Sequence, residues 1–383
     1  MKLLFFTGSR SEWGYIRPIL QICKNNKKIK YEICATNMHL LDSFGNSVKE
    51  IEKDGFKVKE KIYMALDGYN NFTMTKSLFI LGSSFTDLIY RSKPDWIILA
   101  GDRGESLIAS IVAAYTNTPI AHIQAGELSG NIDGQARHAI GKFAHIHFAS
   151  NPDAYKRLIK LGEEKFRIKL VGAPQLDDLK INKRIFNNLN LIKKKYNLEN
   201  LNKKDYLLVV YHPVTEEFKK TKLYVNTICE TLDNFKETKI WILPNNDAGS
   251  SIIKSEILNF KSMKSYVFDN LARFEYLTLL NNCKLLVGNS SSGILESSSF
   301  KIPTVNIGRR QNKRFRPKNV IDVKKVSARS ISFAIKKAMS KEFLQKIKDI
   351  NNPYGDGNSS NRIIEILKKT KINDKLLFKN LTY

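Results

Sequence analysis

A regular alternation of short apolar runs with longer amphipathic segments is the feature that most constrains the fold of this chain. In the first half, the apolar runs lie at 3–6, 96–100, 120–123 and 168–172, and helical patterns lie at 105–117 and 153–162. Continuous apolar runs, rather than alternating ones, are typical of strands buried on both faces of a sheet. This order predicts parallel strands joined by right-handed helical crossovers.

The pattern restarts after a lysine-rich stretch at 180–204, with apolar runs at 206–212, 240–244, 285–290 and 304–308. A chain of 383 residues is also long for a single hydrophobic core. We therefore predict an α/β protein with two Rossmann-like, doubly wound domains that face a cleft. The expected boundaries are 1–175 for the first domain, 176–205 for a linker, 206–357 for the second domain and 358–383 for a helix that returns to the first domain.

The chain carries a formal net charge of +26, from 63 basic and 37 acidic residues. Such an excess suggests an anionic partner: nucleic acid, a membrane surface or a phosphorylated small molecule. Lysine crowds together with Asn and Ile in stretches such as 24–30 and 180–204, however, as compositional bias alone would produce. The sequence has no basic motif interleaved with aromatic residues, so we expect no nucleic-acid partner.

Four cysteines are scattered without C-x-x-C spacing, at Cys23, Cys34, Cys229 and Cys283. This distribution argues against a zinc site or a disulfide framework and favours a reducing cytoplasm. The N-terminal sequence MKLLFFTGSRSEW turns polar after a very short apolar run, so we interpret it as a first strand rather than a signal peptide. No apolar run approaches the roughly 18 residues that span a bilayer, and we expect no membrane partner.

Most polar clusters follow predicted strands, where doubly wound sheets bind their ligands. In TGSRSEWGYIRP (7–18), a glycine and small hydroxyls at a strand-to-helix turn would bring backbone N–H groups to a phosphate, with Arg10 as a further donor. An ordinary glycine turn with a capping serine explains these residues equally well, and the spacing is not that of a dinucleotide fingerprint. Asp102 follows the run at 96–100 and is either a helix N-cap or an active-site acid or base.

The segment HIQAGELSGNIDGQARHAI (122–140) gathers acids, histidines and an arginine after another predicted strand. Glu127 and Asp133 are its free acids. Asp133 could cap a helix on which Arg137 and His138 lie one turn further along, on neighbouring faces.

Four of the six histidines fall between 122 and 147. His145 and His147 would share one face of a strand, a spacing that suggests metal binding. No clear third ligand accompanies them, so we predict no metal and favour hydrogen bonding in the core or between domains for this pair.

In the second half, His212 stands at a strand end, immediately before Pro213, which we expect to open a helix. A histidine in that position favours an anion contact or a capping role. The stretch GNSSSGILESSS (288–299) leads from a strand into a predicted helix. Small residues there form a nest for a phosphate, and Glu296 further along could hold a ribose diol, although weak capping motifs look similar.

Four arginines follow another predicted strand, at Arg309, Arg310, Arg314 and Arg316. Nucleic-acid contact is one interpretation of this loop, but its closeness to the phosphate nest favours neutralisation of a diphosphate. Acids on the first domain and a phosphate and nucleotide site on the second together indicate an enzyme that acts on a nucleotide sugar.

Six motifs, in order TGSRSEWG, GDRGE, AHIQAGE…ID…RHAI, HP, GNSSSG…E and NIG-RQ, resemble those of the hydrolysing UDP-N-acetylglucosamine 2-epimerases of sialic-acid-type sugar synthesis. The resemblance runs from Phe6 to about Arg362. The stretch HIQAGELSGNIDG looks like the subgroup that acts on N,N'-diacetylbacillosamine nucleotides on the legionaminic acid route. The resemblance implies a glycosyltransferase-B-like fold, no cofactor, and a homodimer or homotetramer. It also implies elimination of UDP or GDP across C1–C2 to a glycal, which is then hydrated to the free manno-configured sugar.

By this resemblance the catalytic residues are Asp102, Glu127, Asp133 and His212, and the residues that bind substrate or nucleotide are Arg10, Gln124, Arg137, His138, Asn289, Ser290, Ser291, Glu296, Arg310 and Arg314. His212 would contact the diphosphate or shuttle a proton. Gln124 stands where related non-hydrolysing enzymes carry a glutamate, and Ala125 where many relatives carry a glycine. An amide cannot exchange a proton as an acid does, which favours the hydrolysing branch.

Other functions remain open at this point. The same reaction on UDP-N-acetylglucosamine would release N-acetylmannosamine and UDP. An inverting glycosyltransferase on the same fold would need an acceptor and leave the C2 proton in place, but three clustered acids exceed the single base it requires. A nucleic-acid-binding protein would bind random duplex DNA with a steep salt dependence.

Overall fold

A computed structural model of the chain describes residues 1–42, 45–67, 71–128, 132–181, 185–244, 249–260 and 265–382. For residues 71, 132, 133, 180, 181, 185, 215 and 216 it describes the backbone alone. The chain divides into two compact units. The first comprises residues 1–178 and 353–383, and the second comprises residues 179–352.

The first unit is built on a seven-stranded sheet in which neighbouring strands run parallel. Its strands are β1 (Lys2–Thr7), β2 (Lys30–Thr36), β3 (Glu60–Ile62), β4 (Trp96–Ala100), β5 (Ile120–Ile123), β6 (Ile146–Ala149) and β7 (Ile168–Leu170). Their order in the sheet is β3-β2-β1-β4-β5-β6-β7. The order reverses between β1 and β4, and doubly wound sheets open a ligand crevice at such a point, beyond the carboxyl ends of the strands.

The second unit has a six-stranded parallel sheet of the same kind. Its strands are β8 (Tyr206–Val210), β9 (Thr238–Ile242), β10 (Ser265–Phe268), β11 (Leu285–Gly288), β12 (Thr304–Ile307) and β13 (Val320–Val323). Their order is β10-β9-β8-β11-β12-β13, so the reversal here falls between β8 and β11.

Helices connect most of these strands. They are α1 (Arg10–Lys24), α2 (Val48–Lys53), α3 (Asn71–Ser92), α4 (Gly104–Tyr115), α5 (Ile132–Phe143), α6 (Pro152–Lys160), α7 (Asp177–Ile181), α8 (Leu189–Tyr196), α9 (Thr221–Asp233), α10 (Ser250–Asn259), α11 (Arg273–Asn282), α12 (Ser292–Leu295), α13 (Ala328–Ala338), α14 (Lys341–Ile347), α15 (Ser359–Lys369) and α16 (Asp374–Leu377). No helix in the described ranges is long and apolar enough to cross a membrane.

The unbroken apolar runs arise because both faces of each sheet are covered. In β1, Leu3 and Phe5 join a hydrophobic cluster with residues of α1, whereas Leu4 and Phe6 join a second cluster with residues of α3 and α4. Successive side chains of a strand point to opposite faces of the sheet. A strand with helices on both sides therefore needs an apolar residue at every position.

The C-terminal helix α15 belongs to the first unit. Ile363 and Leu367 lie in the same hydrophobic cluster as the α1 side of the sheet. The Asp177 carboxylate accepts hydrogen bonds from the backbone N–H groups of Ser359 and Ser360, at 3.0 and 2.6 Å. This acid satisfies two N–H groups in the first turn of α15 that have no partner within the helix.

The expected α/β architecture of two Rossmann-like domains is confirmed. The runs at 96–100 and 120–123 coincide with β4 and β5. Strands β2, β3, β10 and β13 were not predicted, because they mix charged or polar residues with apolar ones, as in KYEICAT. The four cysteines are buried and free.

One helix start was predicted wrongly, and one predicted helix is shorter than expected. The helix expected to open at Pro213 begins at Thr221, after a 3-10 segment at Thr215–Lys220. The helix expected after the GNSSSG motif is α12, a single turn. Serine side chains compete for helical backbone groups, and the Ser297 hydroxyl donates to the Gly293 carbonyl at 2.8 Å. Because α12 is a single turn, its helix dipole is small, and the dipole argument for phosphate binding at its N-terminus is weak.

Candidate active site

Asp102 lies in the turn between β4 and α4, where it receives a hydrogen bond from a buried arginine. Arg137 of α5 donates its Nη2 to the Asp102 carboxylate. The arginine side chain is 2% exposed, and its Nε and Nη1 have no hydrogen-bond partner among the described residues. A guanidinium that donates to a carboxylate forms a strong, directional hydrogen bond, so Arg137 fixes the orientation of the Asp102 side chain.

Glu127 is positioned by a glycine and a serine. Gly126 has φ +75°, and a Cβ at this position would lie 2.6 Å from the Ala154 carbonyl, so no larger residue fits without a shift. Ser150 donates its hydroxyl to Oε1 of the buried Glu127. Oε2 has no partner within the described part of the chain. One carboxylate oxygen is held and the other is available to a ligand.

Two further side chains at the end of β5 also keep open polar atoms. His122 donates Nε2–H to the Gly101 carbonyl at 2.7 Å, and burial lowers its pKa to about 3, so the ring is neutral and Nδ1 is an acceptor. Gln124 is buried, has φ +60°, and finds no partner for either atom of its amide among the described residues. Buried polar groups are normally paired, and open ones at a strand end indicate a ligand or ordered water.

The other residues expected in this segment are placed less fully. Asp133 lies in the first turn of α5, which begins at Ile132, so it is not the residue preceding the helix as expected of a cap; its side chain lies outside the described residues. His138 is half-buried, and burial followed by the charge of Arg137 lowers its pKa. Arg10, expected at a phosphate, forms an exposed ion pair with Glu50 at 2.9 Å.

His145 and His147 both take part in hydrogen bonds within the first unit. The Ile120 N–H donates to His145 Nδ1 at 3.1 Å, and His147 Nε2 lies 2.9 Å from a carboxylate oxygen of Glu163. Lys379, near the C-terminus, reaches the same glutamate at 2.8 Å. Among the described residues, no group of three histidines, cysteines or acids could hold a metal ion. The expectation of core hydrogen bonding for these histidines is met.

Sequence reasoning missed a pair of buried acids, Glu12 and Glu105, at the switch point between β1 and β4. Glu12 accepts hydrogen bonds from the Gly8 N–H at 2.7 Å and from the Ser106 hydroxyl at 2.9 Å. Burial, followed by the charge of Glu105, raises the pKa of Glu12 to about 7. The spacing Ser9-x-x-Glu12 is a capping-box signature and could have placed this acid next to the turn.

In the second unit, Asn289 holds the backbone of His212. Its Oδ1 accepts from the His212 N–H at 2.7 Å, and its Nδ2 donates to the His212 carbonyl at 2.8 Å. The Asn289 carbonyl accepts from Arg310 at 3.3 Å and from Gln311 at 2.9 Å. The structure therefore brings His212, Asn289 and Arg310 together, and the Asn289 amide is used for positioning.

A glycine allows this arrangement. Gly288 has φ +133°, and a Cβ there would lie 2.0 Å from the Val210 carbonyl. The ends of β8 and β11 can approach this closely only without a side chain.

The remaining expected residues of the second unit are more dispersed. Glu296 is buried, with Arg273 at 2.8 Å from one oxygen and the Ser292 hydroxyl at 2.6 Å from the other. Ser290 and Ser291 are half-buried before α12, and Arg314 is half-buried in the arginine loop. Arg316 instead pairs with Asp322 at 2.9 Å, and Arg309 is exposed.

Comparisons with known proteins show which family the chain resembles. The UDP-N-acetylglucosamine 2-epimerase family matches residues 21–368. The UDP-N,N'-diacetylbacillosamine 2-epimerase (hydrolyzing) of Legionella pneumophila is 34% identical over 383 residues, which covers 100% of this chain and 99% of the relative. The GDP/UDP-N,N'-diacetylbacillosamine 2-epimerase (hydrolyzing) of Campylobacter jejuni is 36% identical over 387 residues, covering 99% and 98%.

A solved structure shows the same fold. The UDP-GlcNAc 2-epimerase of Neisseria meningitidis, bound to UDP-GlcNAc, superposes with a TM-score of 0.84 at 19% identity, covering 97% of this chain and 100% of the other. The family expected from the six motifs is thereby confirmed. With a family match over most of its length and relatives above 30% identity along all of it, the chain belongs to the UDP-N-acetylglucosamine 2-epimerase family.

Proposed function

We propose that the protein is a hydrolysing nucleotide-sugar 2-epimerase. It removes the nucleoside diphosphate from a 2-acetamido sugar and adds water to the resulting glycal, so that the configuration at C2 is inverted. One observation carries this proposal. At the ends of two neighbouring strands, Asp102 is held by a buried guanidinium and Glu127 has one oxygen held and one open.

The two steps balance without an added reductant or oxidant. In the first, a base takes the C2 proton, the C1–O bond breaks and UDP leaves, which forms a C1=C2 double bond. In the second, water adds its oxygen to C1 and an acid delivers a proton to C2 from the opposite face. No carbonyl acidifies the C2 proton, so the barrier must be lowered largely by stabilising the departing diphosphate.

For the first unit we assign Asp102, Glu127 and Asp133 to proton transfer. Gln124 and His138 would contact the sugar, and Arg137 would orient Asp102 and the sugar. The open Glu127 oxygen, the open amide of Gln124 and the open nitrogens of Arg137 support this assignment. Carboxylates and basic side chains can supply both proton transfer and charge stabilisation, so we expect the reaction to need no metal or cofactor.

For the second unit we assign the nucleoside diphosphate. His212 and Arg310, which meet at Asn289, would stabilise the leaving group together with Arg314, Ser290 and Ser291. Glu296 would hold the ribose, using oxygen lone pairs beyond those already bonded to Arg273 and Ser292. Arg10 of the first unit would have to leave its exposed pair with Glu50 to reach a phosphate; such surface pairs are weak.

The substrate we favour is UDP- or GDP-linked N,N'-diacetylbacillosamine, because two relatives at 34% and 36% identity carry that name. The protein would then act in the cytoplasm, on the route to legionaminic acid of a bacterial surface polysaccharide. UDP-N-acetylglucosamine is the second candidate, since a Neisseria meningitidis UDP-N-acetylglucosamine 2-epimerase is 32% identical over 321 residues.

We also propose that the chain forms a homodimer through α3. Phe72, Phe79 and Tyr90 are 67%, 71% and 79% exposed and follow one another along one stripe of this helix. Lys76 and Asp87 lie on the same stripe, so two copies of α3 packed antiparallel about a two-fold axis would bring unlike charges together. Exposed aromatic stripes of this kind mark interaction sites.

The dimer is tested by measuring molar mass in solution with the substitution Phe79→Asp. We expect the native chain to have at least twice the monomer mass of 43.9 kDa and the variant to dissociate. The exposed Phe333 of the second unit, changed to aspartate, serves as a control and should leave the mass unaltered. A native monomer, or a variant with native mass, would rule out this surface.

The reaction itself is tested by incubating the protein in D₂O with UDP-diacetylbacillosamine, GDP-diacetylbacillosamine and UDP-N-acetylglucosamine in separate samples, and following each by NMR. The expected products are the free nucleoside diphosphate and a free sugar with inverted configuration and deuterium at C2. Release of sugar with retained configuration and an undeuterated C2 would contradict the proposal. A requirement for an acceptor would indicate a glycosyltransferase instead.

A further inference from the structure

The acids Glu12 and Glu105 form a cluster outside the groups assigned above, and they lie under the turn that carries Asp102. Glu12 is in the first turn of α1, after β1, and Glu105 is in the first turn of α4, after β4. The two side chains are 1% and 4% exposed. They lie where the strand order reverses.

Both side chains lie near Gly8. A Cβ on this glycine would lie 3.4 Å from Glu12 Oε2 and 3.7 Å from Glu105 Cγ. Glu12 receives hydrogen bonds from Gly8, Ser9 and Ser106. Glu105 receives them from Asn37 and from Arg103.

Arg103 forms an ion pair with Glu105 at 3.3 Å. Two neighbouring buried carboxylates, of which one pairs with a partly exposed arginine, cannot both be charged without a large desolvation penalty. The favourable state carries one proton, and burial together with the charge of Glu105 raises the pKa of Glu12 to about 7.

The pair is connected directly to the proposed base. A Cβ on Gly101 would lie 3.9 Å from Glu12 Cγ, and Gly101 immediately precedes Asp102. Arg103 follows Asp102 and bonds Glu105. The turn that carries Asp102 therefore lies next to Glu12 at Gly101 and is bonded to Glu105 through Arg103.

We propose that Glu12 and Glu105 share a single proton in the active protein, and that this proton holds the Gly101–Arg103 turn in the position that presents Asp102. Glu12 is then a positioning residue. When the shared proton is lost, two negative charges repel each other beneath the turn. The part that concerns Asp102 rests on the proposed epimerase function, whereas the shared proton does not.

Thermal unfolding tests the proton without any substrate. The pKa of Glu12 is raised from 4.5 to about 7, so the folded chain retains a proton that the unfolded chain releases. The stability of the native protein should therefore decline between pH 4.5 and 7 because of this group. Glu12→Gln mimics the protonated form, so its unfolding midpoint relative to native should rise across this window, by about 3–6 °C.

Kinetics tests the positioning role. For the native protein we expect kcat for nucleoside diphosphate release to fall about ten-fold or more between pH 6.5 and 8.5, with a midpoint near pH 7. Glu12→Gln should keep activity at pH 6.5 within about three-fold of native and remove most of the alkaline fall. KM should change less than kcat, because the substitution alters none of the residues assigned to the nucleotide.

A matched control is Glu52→Gln, an exposed glutamate of the first unit that pairs with Lys61 at 3.1 Å. This variant should alter neither the pH profile of kcat nor the pH dependence of the unfolding midpoint. If the difference in unfolding midpoint between Glu12→Gln and the native protein does not change with pH, the shared proton is refuted. An unchanged alkaline fall in that variant would refute the link to Asp102. A chain that unfolds as predicted but acts on no nucleotide sugar would instead overturn the proposed function alone.

Discussion

The end of β5 in the first unit and the end of β11 in the second use buried amide side chains in opposite ways. Gln124 has no partner for its amide among the described residues. Asn289 uses both ends of its amide on the backbone of His212. The first amide is left for a ligand, whereas the second builds the scaffold that positions other groups.

This difference has an energetic meaning. An unsatisfied buried polar group costs about 1–3 kcal/mol, so a native protein tolerates it where a ligand or ordered water supplies the partner. A satisfied buried amide costs little and fixes the chain around it. Removing Gln124 should therefore affect function more than stability, and removing Asn289 should affect both.

The largest effect is expected from the acids of the first unit. Asp102→Asn and Glu127→Gln keep the shape and the hydrogen bonds of each side chain but remove proton transfer. Each should lower kcat about 10²–10⁴-fold. Binding of UDP, measured by calorimetry, should stay within a few-fold of native, because the nucleotide is assigned to the second unit. Near-native turnover of Glu127→Gln would show that our central assignment is wrong.

Asn289→Ala should have the next largest effect. It leaves the His212 N–H and carbonyl without their partner and should destabilise the protein by about 1–3 kcal/mol. UDP affinity should also fall, by roughly ten-fold, because His212 loses the amide that positions it, although the backbone carbonyl that Arg310 contacts is retained. Chemical denaturation and calorimetry measure the two quantities. Asn289→Asp, which keeps one acceptor for the His212 N–H, should lie between the native protein and the alanine variant.

Gln124→Met should have the smallest effect on the fold. Because a buried amide without a partner is replaced by an apolar side chain of similar length, the unfolding midpoint should stay the same or rise. Turnover of the nucleotide sugar should fall by roughly ten-fold through lost contacts to the sugar, while UDP affinity remains native. A lower unfolding midpoint with full activity would show that Gln124 supports the fold as Asn289 does, and that the two amides do not differ in role. Gln21→Met, on the exposed surface of α1, controls for the substitution itself.

Much of the fold could be predicted from the local sequence pattern alone. Strands β4 and β5 were predicted to the residue because WIILA and IAHI are apolar throughout and are bounded by polar turns. Strand β13, with the sequence VIDV, was missed since it pairs only with β12 and its first three residues are partly or fully exposed. A strand at a sheet edge needs no continuous apolar run.

Less of the candidate site could be predicted from the sequence. The position of Asp102 after a strand was evident, but its hydrogen bond with Arg137, 35 residues later, depends on how α5 packs. The GNSSSG stretch looked like the start of a long helix, and α12 is only one turn. Glu12 stands in the TGSRSEWGYIRP stretch, yet nothing local indicates that Glu105 lies near it.

The sequence by itself determined the parallel α/β architecture, the restart after the lysine-rich stretch and the family, because apolar periodicity and ordered motifs are properties of neighbouring residues. Only the tertiary structure decided which polar groups are open and which are paired, and that two buried acids share the switch point of the first sheet. Burial and charge coupling depend on residues distant in the chain, since the desolvation of an acid is set by everything that surrounds it.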